Sequence, residues 1–592
     1  MTRGRLTTIL PVVAIIMALA AALNQLGRAG RTTASQPRLA VTLRPMLSPD
    51  GGVGAIDVTL DIEGARAEAE KPYALHVPIE FAGISHVADR IEGLEARSGD
   101  AVVRLSQADD PPDAGGSLYW RRWEIASPVP AHITAHYRAR LDPPSPRPGP
   151  PFDLRSNGGG VSGAGYSFLV LPDVKQAFDI HLGWDLGAMR SGARAAASVG
   201  EGNAQFVGTA DRLQESFYMA GPIGRYPDPV TPTGFRAAWL GTPPFDSRSE
   251  MEWSAKAYQA LQRFFGDTST APFYFFMRAG PDNHGYGGAA LANSFLLYAP
   301  AAGAAPSDDP PSLTIAHEIT HHFAGGLDSP EGIEGSWFAE GLAEYYSRLV
   351  TFRAGLISPD KFAKAVNATA QGYYANPQRR LPNDKIAAGF WRDKNVQVLP
   401  YERAFFYFVD VNQKLLAASH GSVSLDTVVL SLLARQKRGE ELTSDVWRKA
   451  IENELGAPGV QEFDSVIIHG DVVIPTSDAF GPCFQRTSLR VGGYELGFDQ
   501  NKTLDTRPPV ARGVVTGSAA AKAGLRDGDT VLAVEPMEVQ RLRGDVTMRI
   551  RLTIKRSAGP QTIDYLPRSG AVEGYEWVRR PGVADDTCAR RP

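Results

Sequence analysis

Apolar and polar residues alternate with period two in short segments near the start of the chain, at residues 39–43, 55–62, 73–79, 101–105 and 133–141. Gly, Pro and Asp divide the segments and no helical period intrudes, so the pattern predicts an antiparallel β domain over residues 37–150. Its far edge falls at the proline-crowded stretch 142–151, which can sustain neither a helix nor a central strand. A second β-rich passage, from residues 167–171 through 206–208, reads as the opening of the next domain. The period then changes. Trp253, Ala257, Leu261 and Phe264 fall at helical spacing, and 273–277 read as a buried strand whose aromatics belong to a core. Ser358 before Pro359 makes a helix start, serine as cap and proline in the first turn, and further helical runs cover 401–418, 425–435 and 444–455. Strands early and helices later describe an α+β multidomain chain.

Ahead of those helices, residues 314–323 read Thr-Ile-Ala-His-Glu-Ile-Thr-His-His-Phe. In a helix, His317 and His321 are four residues apart and project from one face, so both imidazoles can hold one zinc ion. Glu318 stands one step round that face, where its carboxylate reaches a water at the open metal position as general base. Two histidines leave such a site one protein ligand short. Glu340, with 18 residues between it and His321, lies in a second helical run at 335–346 and completes a His-His-Glu set. Glu344, one turn on, either orients a ligand histidine from behind or is a solvated helical carboxylate. A bare His-Glu-x-x-His also arises by chance on surface helices. A glutamate at a useful distance, inside a Trp-Phe-Ala-Glu-Gly segment, favours the metal.

Composition narrows the picture. At 592 residues, 43% hydrophobic and 21% charged, the chain can bury several cores, and its length suggests three or four domains. A formal net charge of -4 without long charge runs argues against nucleic acid as a partner. Arg3 and Arg5 precede an uncharged run at 9–23, and residues 1–36 have the layout of a secretory signal peptide or an uncleaved signal anchor. Membrane attachment is expected only if that segment stays in place. The expected location is outside the cytoplasm, periplasmic or extracellular. Cys483 and Cys588 bracket the last domain, where they form either one long-range disulfide or two separate thiols.

The spacing His317-Glu318-x-x-His321-(18)-Glu340-Gly341 resembles the gluzincin peptidases, which include the M1 aminopeptidases and the M61 glycyl aminopeptidase family. The resemblance implies a thermolysin-like catalytic domain over 151–475 with Zn2+ as cofactor and a peptide or protein as substrate. It also implies that Gly287, Gly288, Ala289 and Ala290 belong to a glycine-rich edge strand that pairs with the substrate backbone. Relatives carry a glutamate after those glycines, which in the aminopeptidases binds the substrate's free amine, and M61-like sequences usually follow it with histidine. This chain has Ala290 and Leu291 there, and His284 or Glu331 would have to substitute. Tyr401, in Pro-Tyr-Glu-Arg-Ala at 400–404, stands where gluzincins of this type place an oxyanion-stabilising tyrosine, with Arg403 and Ala404 replacing Lys and Gly. From 476 to 592 the chain resembles a PDZ domain, on Tyr-Glu-Leu-Gly-Phe-Asp at 494–499 and the run 514–534, with a helix at 522–525 and a strand at 546–555. In that fold the amides of Leu496, Gly497 and Phe498 cradle a chain-terminal carboxylate, so a C-terminal peptide is an expected ligand. This three-part layout is similar to M61 peptidases more than to M1. The expected activity is zinc-dependent peptide hydrolysis, aminopeptidase-like by family. The rival readings are an endopeptidase of the same fold and a non-catalytic PDZ peptide-binding protein with a vestigial zinc site.

Overall fold

The computed structural model describes residues 36–588 apart from 69–70, 83, 85, 112–117, 142–151, 281–285, 304–310, 329–331, 391–392, 505, 507, 536–541 and 543–544. The N-terminal segment read as an export signal, the proline-crowded stretch, His284 and Glu331 lie outside the described residues. The chain divides into two compact units. One runs through Gln259 and adds Thr268–Ser312; the other joins Ala260–Asp267 to Leu313 and everything after it.

In the first unit, alternating side chains build a seven-stranded sheet. Its spatial order is Ala204–Thr209, Ala177–Trp184, Arg38–Leu47, Val53–Glu63, His132–Arg140, Ile91–Ser98 and Ala101–Val103. Registers such as Val41 opposite Leu60 and Leu60 opposite Ala135 put the apolar positions on one face. There they share a core with Tyr73, Leu75 and Val77 of a four-stranded sheet. The expected boundary at residue 150 is therefore corrected. Arg38–Leu47 pairs in parallel with Ala177–Trp184, which in turn pairs with Ala204–Thr209, so the first β sheet is completed by residues far beyond the prolines. The β-rich passage expected from 167–171 through 206–208 is present as Leu171–Pro172, Ala177–Trp184, Arg194–Ala197, Gly200–Glu201 and Ala204–Thr209, although its first residues form no strand, since Gly165–Ser167 is a 3-10 turn and pairing starts at Leu171. The run 167–171 is apolar because it is buried, and Tyr137 serves its backbone, donating to the Phe168 carbonyl at 3.2 Å and accepting from the Val170 amide at 2.8 Å.

A five-stranded sheet closes this unit, in the order Gly224–Tyr226, Phe235–Leu240, Phe273–Gly280, Ser294–Pro300 and Gly287–Leu291. Phe273–Gly280 is buried throughout, and Gly287–Leu291 is the antiparallel edge. Because the sheet groups with the N-terminal unit, the expected catalytic span 151–475 divides near residue 312.

The second unit opens with helices. The His317 helix (Ser312–Ala324) is followed by the Glu340 helix (Ser336–Arg353), Pro359–Tyr374, the Tyr401 helix (Leu399–Ala418), Leu425–Lys437 and Ser444–Phe463. Ser358 caps the Pro359–Tyr374 helix by accepting from the Lys361 amide. Ser444–Phe463 breaks at Gly456, whose φ of 65° precedes Pro458, so its regular part ends where the sequence pattern ends. Trp337, Phe338, Tyr407, Phe408, Trp447 and Phe463 form an aromatic core between these helices.

The chain then returns to β structure. Phe484–Tyr494 and Arg568–Arg579 make a long antiparallel ribbon, and Thr530–Glu535, Ile550–Arg556 and Gly559–Tyr565 a three-stranded sheet with its own core around Leu552 and Ile554. A disulfide between Cys483 and Cys588 ties the two ends of this module. The short helix expected at 522–525 lies at Ala519–Lys522, where the Ser518 hydroxyl accepts from the Ala521 amide and starts it earlier. The strand expected from 546 begins at Ile550, because Asp545 binds the Thr547 amide and hydroxyl in a turn. Among the described residues, no helix is long and apolar enough to cross a membrane.

Candidate metal centre

Two helices of the second unit meet to make the site. The i, i+4 spacing of the His317 helix turns His317 and His321 to one side, their rings 4.8 Å apart and nearly perpendicular. Glu340 reaches them from the facing helix. Its Oε2 lies 3.2 Å from His317 Nε2 and 3.1 Å from His321 Nε2, and the two Nε2 atoms are 3.1 Å apart. A point at about 2.0–2.1 Å from all three, the ordinary Zn–N and Zn–O lengths, lies just off the plane of that triangle. The donor set therefore fits a small divalent cation, and a second grouping of this kind, Asp61, Glu63 and His132, lies on a largely exposed face of the first unit.

The electrostatics agree with the geometry. Burial disfavours a charged His317, yet Glu340 and Glu344 outweigh it and push the imidazole up to about 10 when no cation is bound. The same neighbours act in reverse on Glu340. Its burial is overcome by the histidines, which hold its carboxyl well below the usual range. A cluster this rich in carboxylate favours a positive charge, which a proton or a divalent cation can supply. Glu318, beside the triad, has its carboxyl raised, first by burial and then by Glu340 and Glu344 against the pull of the histidines. A raised carboxyl is suited to taking and returning a proton.

Glu344 meets His317 from behind, its Oε1 3.1 Å from Nδ1, an ion-pair contact short of full hydrogen-bond alignment. Burial opposes its charge, but Arg348 and His317 hold the carboxyl down at about 2. The solvated alternative for Glu344 is thus set aside by its surroundings.

Tyr401 enters from a third helix. Its ring stacks on His317, centroids 5.9 Å apart at 15°. Burial, followed by Glu340 and Glu318, raises the phenol well above its ordinary value, so it keeps its proton as a donor. Gly341 permits this approach: a Cβ there would stand 2.4 Å from the Ala404 Cβ and 2.8 Å from the Phe408 ring, so the Glu340 and Tyr401 helices touch backbone to side chain. Arg403 is no surface cation. It is buried and donates to the carbonyls of Arg379 at 3.0 Å and Leu381 at 2.6 Å, fixing the chain that follows Pro359–Tyr374.

Gly287, Gly288, Ala289 and Ala290 sit, as expected, on an edge strand. The glycines answer to their own sheet, however. A Cβ at Gly287 would strike the Tyr298 hydroxyl at 2.2 Å, and one at Gly288 the Phe295 ring at 1.9 Å. Ala290 is exposed and Leu291 buried in a hydrophobic core, so neither position supplies a carboxylate. In the C-terminal module, Gly497 adopts φ 84° against Ala520 and Ser518. Leu496 and Gly497 carbonyls accept from the Tyr565 hydroxyl and the Val515 amide, while the amides of Leu496, Gly497 and Phe498 have no partner among the described residues.

Arg348 was not singled out by the sequence. The signal was present: Glu340, Glu344 and Arg348 recur every four residues on one helical stripe.

Fold and site together are those of a metallopeptidase. The M61 glycyl aminopeptidase family model matches residues 313–388, the stretch that holds His317, His321 and Glu340, and the resemblance read from the sequence is borne out there. Among solved structures, an aminopeptidase N family protein from Idiomarina loihiensis aligns over 93% of this chain and 99% of its own, at 16% identity and a TM-score of 0.62. At that identity the likeness is one of fold. An M1 zinc metallopeptidase from Deinococcus radiodurans aligns over 74% of this chain and 94% of its own, at 15% identity and a TM-score of 0.42. No curated protein matches the chain.

Proposed function

We propose that this chain is an exported zinc metallopeptidase, with His317, His321 and Glu340 as zinc ligands, Glu318 as general base and Tyr401 as oxyanion donor. The observation that carries the reading is the meeting of three donor atoms at 3.1–3.2 Å, brought together by two helices, with a raised carboxyl beside them. Bound zinc supplies Lewis acidity, polarising the scissile carbonyl and acidifying a water. Glu318 takes the proton of the attacking water and delivers it to the leaving amine. Tyr401, held protonated, donates a hydrogen bond to the oxyanion as charge develops. Glu344 keeps His317 oriented through Nδ1. The outer edge of Gly287–Leu291 accepts the substrate as an added strand.

Aminopeptidase-like cleavage is the family reading. A second reading, endopeptidase, is favoured by the alanine and buried leucine at 290 and 291, which leave a cationic N-terminus without an anchor on that strand. The C-terminal module acts in this reading as a PDZ-like domain whose Leu496, Gly497 and Phe498 amides take a terminal carboxylate. Two peptides test the assignment, one with a free amine and its N-acetylated twin, each with and without a zinc chelator. An aminopeptidase cleaves only the free peptide, an endopeptidase both, and each loses activity to the chelator. Zinc-loaded protein that cleaves neither contradicts the peptidase reading and leaves the peptide-binding one.

A further inference from the structure

We propose that Arg348 is the positioning residue of the metal site, fixing Glu344 so that His317 presents Nε2 to the cation. This rests on the zinc reading above and extends it one step outward.

Arg348 lies among three helices. Its Nη2 is 2.5 Å from Glu344 Oε2, and its Nη1 donates to the Glu344 carbonyl oxygen at 2.8 Å. Nη2 also donates to Thr369 Oγ1 at 3.2 Å, on Pro359–Tyr374. The guanidinium lies over the Phe405 ring, 5.4 Å from its centroid, one turn along the helix that carries Tyr401. The Arg348 side chain is only 13% exposed and that of Glu344 16%.

A histidine that ligates through Nε2 must carry its hydrogen on Nδ1, and the acceptor at Nδ1 sets both tautomer and ring rotation. Glu344 Oε1 is the carboxylate oxygen that faces Nδ1, at 3.1 Å, but a glutamate has three rotatable bonds and does not hold one pose unaided. Arg348 grips one carboxylate oxygen and the backbone of the same residue, which leaves the other oxygen facing His317. A planar guanidinium spreads its donors in a fixed fork that spans two such points, whereas a lysine ammonium is one compact charge. An ordinary i, i+4 pair on an exposed helix face would need none of the burial, the threonine or the aromatic lid.

The test is a chelator-competition measurement of zinc affinity on the full chain for the wild type, Arg348→Met, Arg348→Lys, Glu344→Gln and the Glu344→Gln/Arg348→Met double variant, with thermal melts of the zinc-free proteins. Arg348→Met should weaken zinc by about 10- to 100-fold, the range for partners that orient a ligand. Arg348→Lys should recover part of that loss. The double variant should bind no more weakly than Glu344→Gln alone, since Arg348 acts only through Glu344. Wild-type affinity in Arg348→Met, or losses that add in the double variant, would overturn the proposal. If Arg348→Met does not fold, Arg348→Lys decides, and undiminished affinity there is contrary. A wild type that binds no zinc sinks the metal reading itself, an outcome distinct from the failure of Arg348 alone.

Discussion

His317 illustrates how the site stores its preference for a cation in ordinary side chains. Metal-free, burial opposes its charge but Glu340 and Glu344 raise it from 6.5 to about 10. The sign follows directly. Stability that the metal-free fold draws from this group is fully present below 6.5 and fades as pH rises through about 10. Zinc needs the Nε2 lone pair, so at pH 7 binding must expel the proton, and affinity should climb with pH by about tenfold per unit until the imidazole is neutral. Calorimetric titration at pH 7 in buffers of different ionisation enthalpy should report about one proton released per zinc from this group. No release would mean His317 is already neutral. Residues of this kind were readable from spacing alone, because i, i+4 fixes a helical face whatever surrounds it. Arg348 was less visible because its role depends on Thr369 and Phe405, which other helices bring to it.

The elements of the second unit are joined more closely than a chain of modules suggests. Trp577, on the C-terminal ribbon, stacks on Phe406 of the Tyr401 helix with centroids 5.6 Å apart. Asn367 clasps the same residue, donating to its carbonyl at 3.0 Å and accepting from its amide at 2.8 Å. The ribbon therefore covers the aromatic face of the helices that carry the site. Asn367→Ala leaves two backbone groups of a buried tryptophan without partners and should cost about 2 kcal/mol. In urea unfolding this appears as a lower midpoint with an unchanged slope, and an unchanged midpoint would show that the clasp contributes nothing. Helices and alternating strands were readable from their periods. The strands Ile91–Ser98 and Leu118–Ile125 were not, because Ile91–Ser98 is largely exposed and Leu118–Ile125 carries Arg121, Arg122 and Glu124 among its apolar residues. Residues 167–171 misled in the opposite sense: a buried apolar run satisfied by one tyrosine hydroxyl looks like a strand.

Across the whole molecule, the order of β-rich and helical regions was visible from local pattern, but their limits were not. The pairing of Arg38–Leu47 with Ala177–Trp184 joins segments on opposite sides of the proline stretch, a contact no local window reports. Distant parts of the sequence converge on one triangle of donor atoms that fits a divalent cation, with the raised Glu318 carboxyl beside it. The most direct test is peptide turnover by zinc-loaded Glu318→Gln, with zinc content measured on the same sample. Zinc should be bound as in the wild type, with hydrolysis lower by at least about a hundredfold, the scale of a lost general base. Undiminished hydrolysis with zinc in place would contradict it.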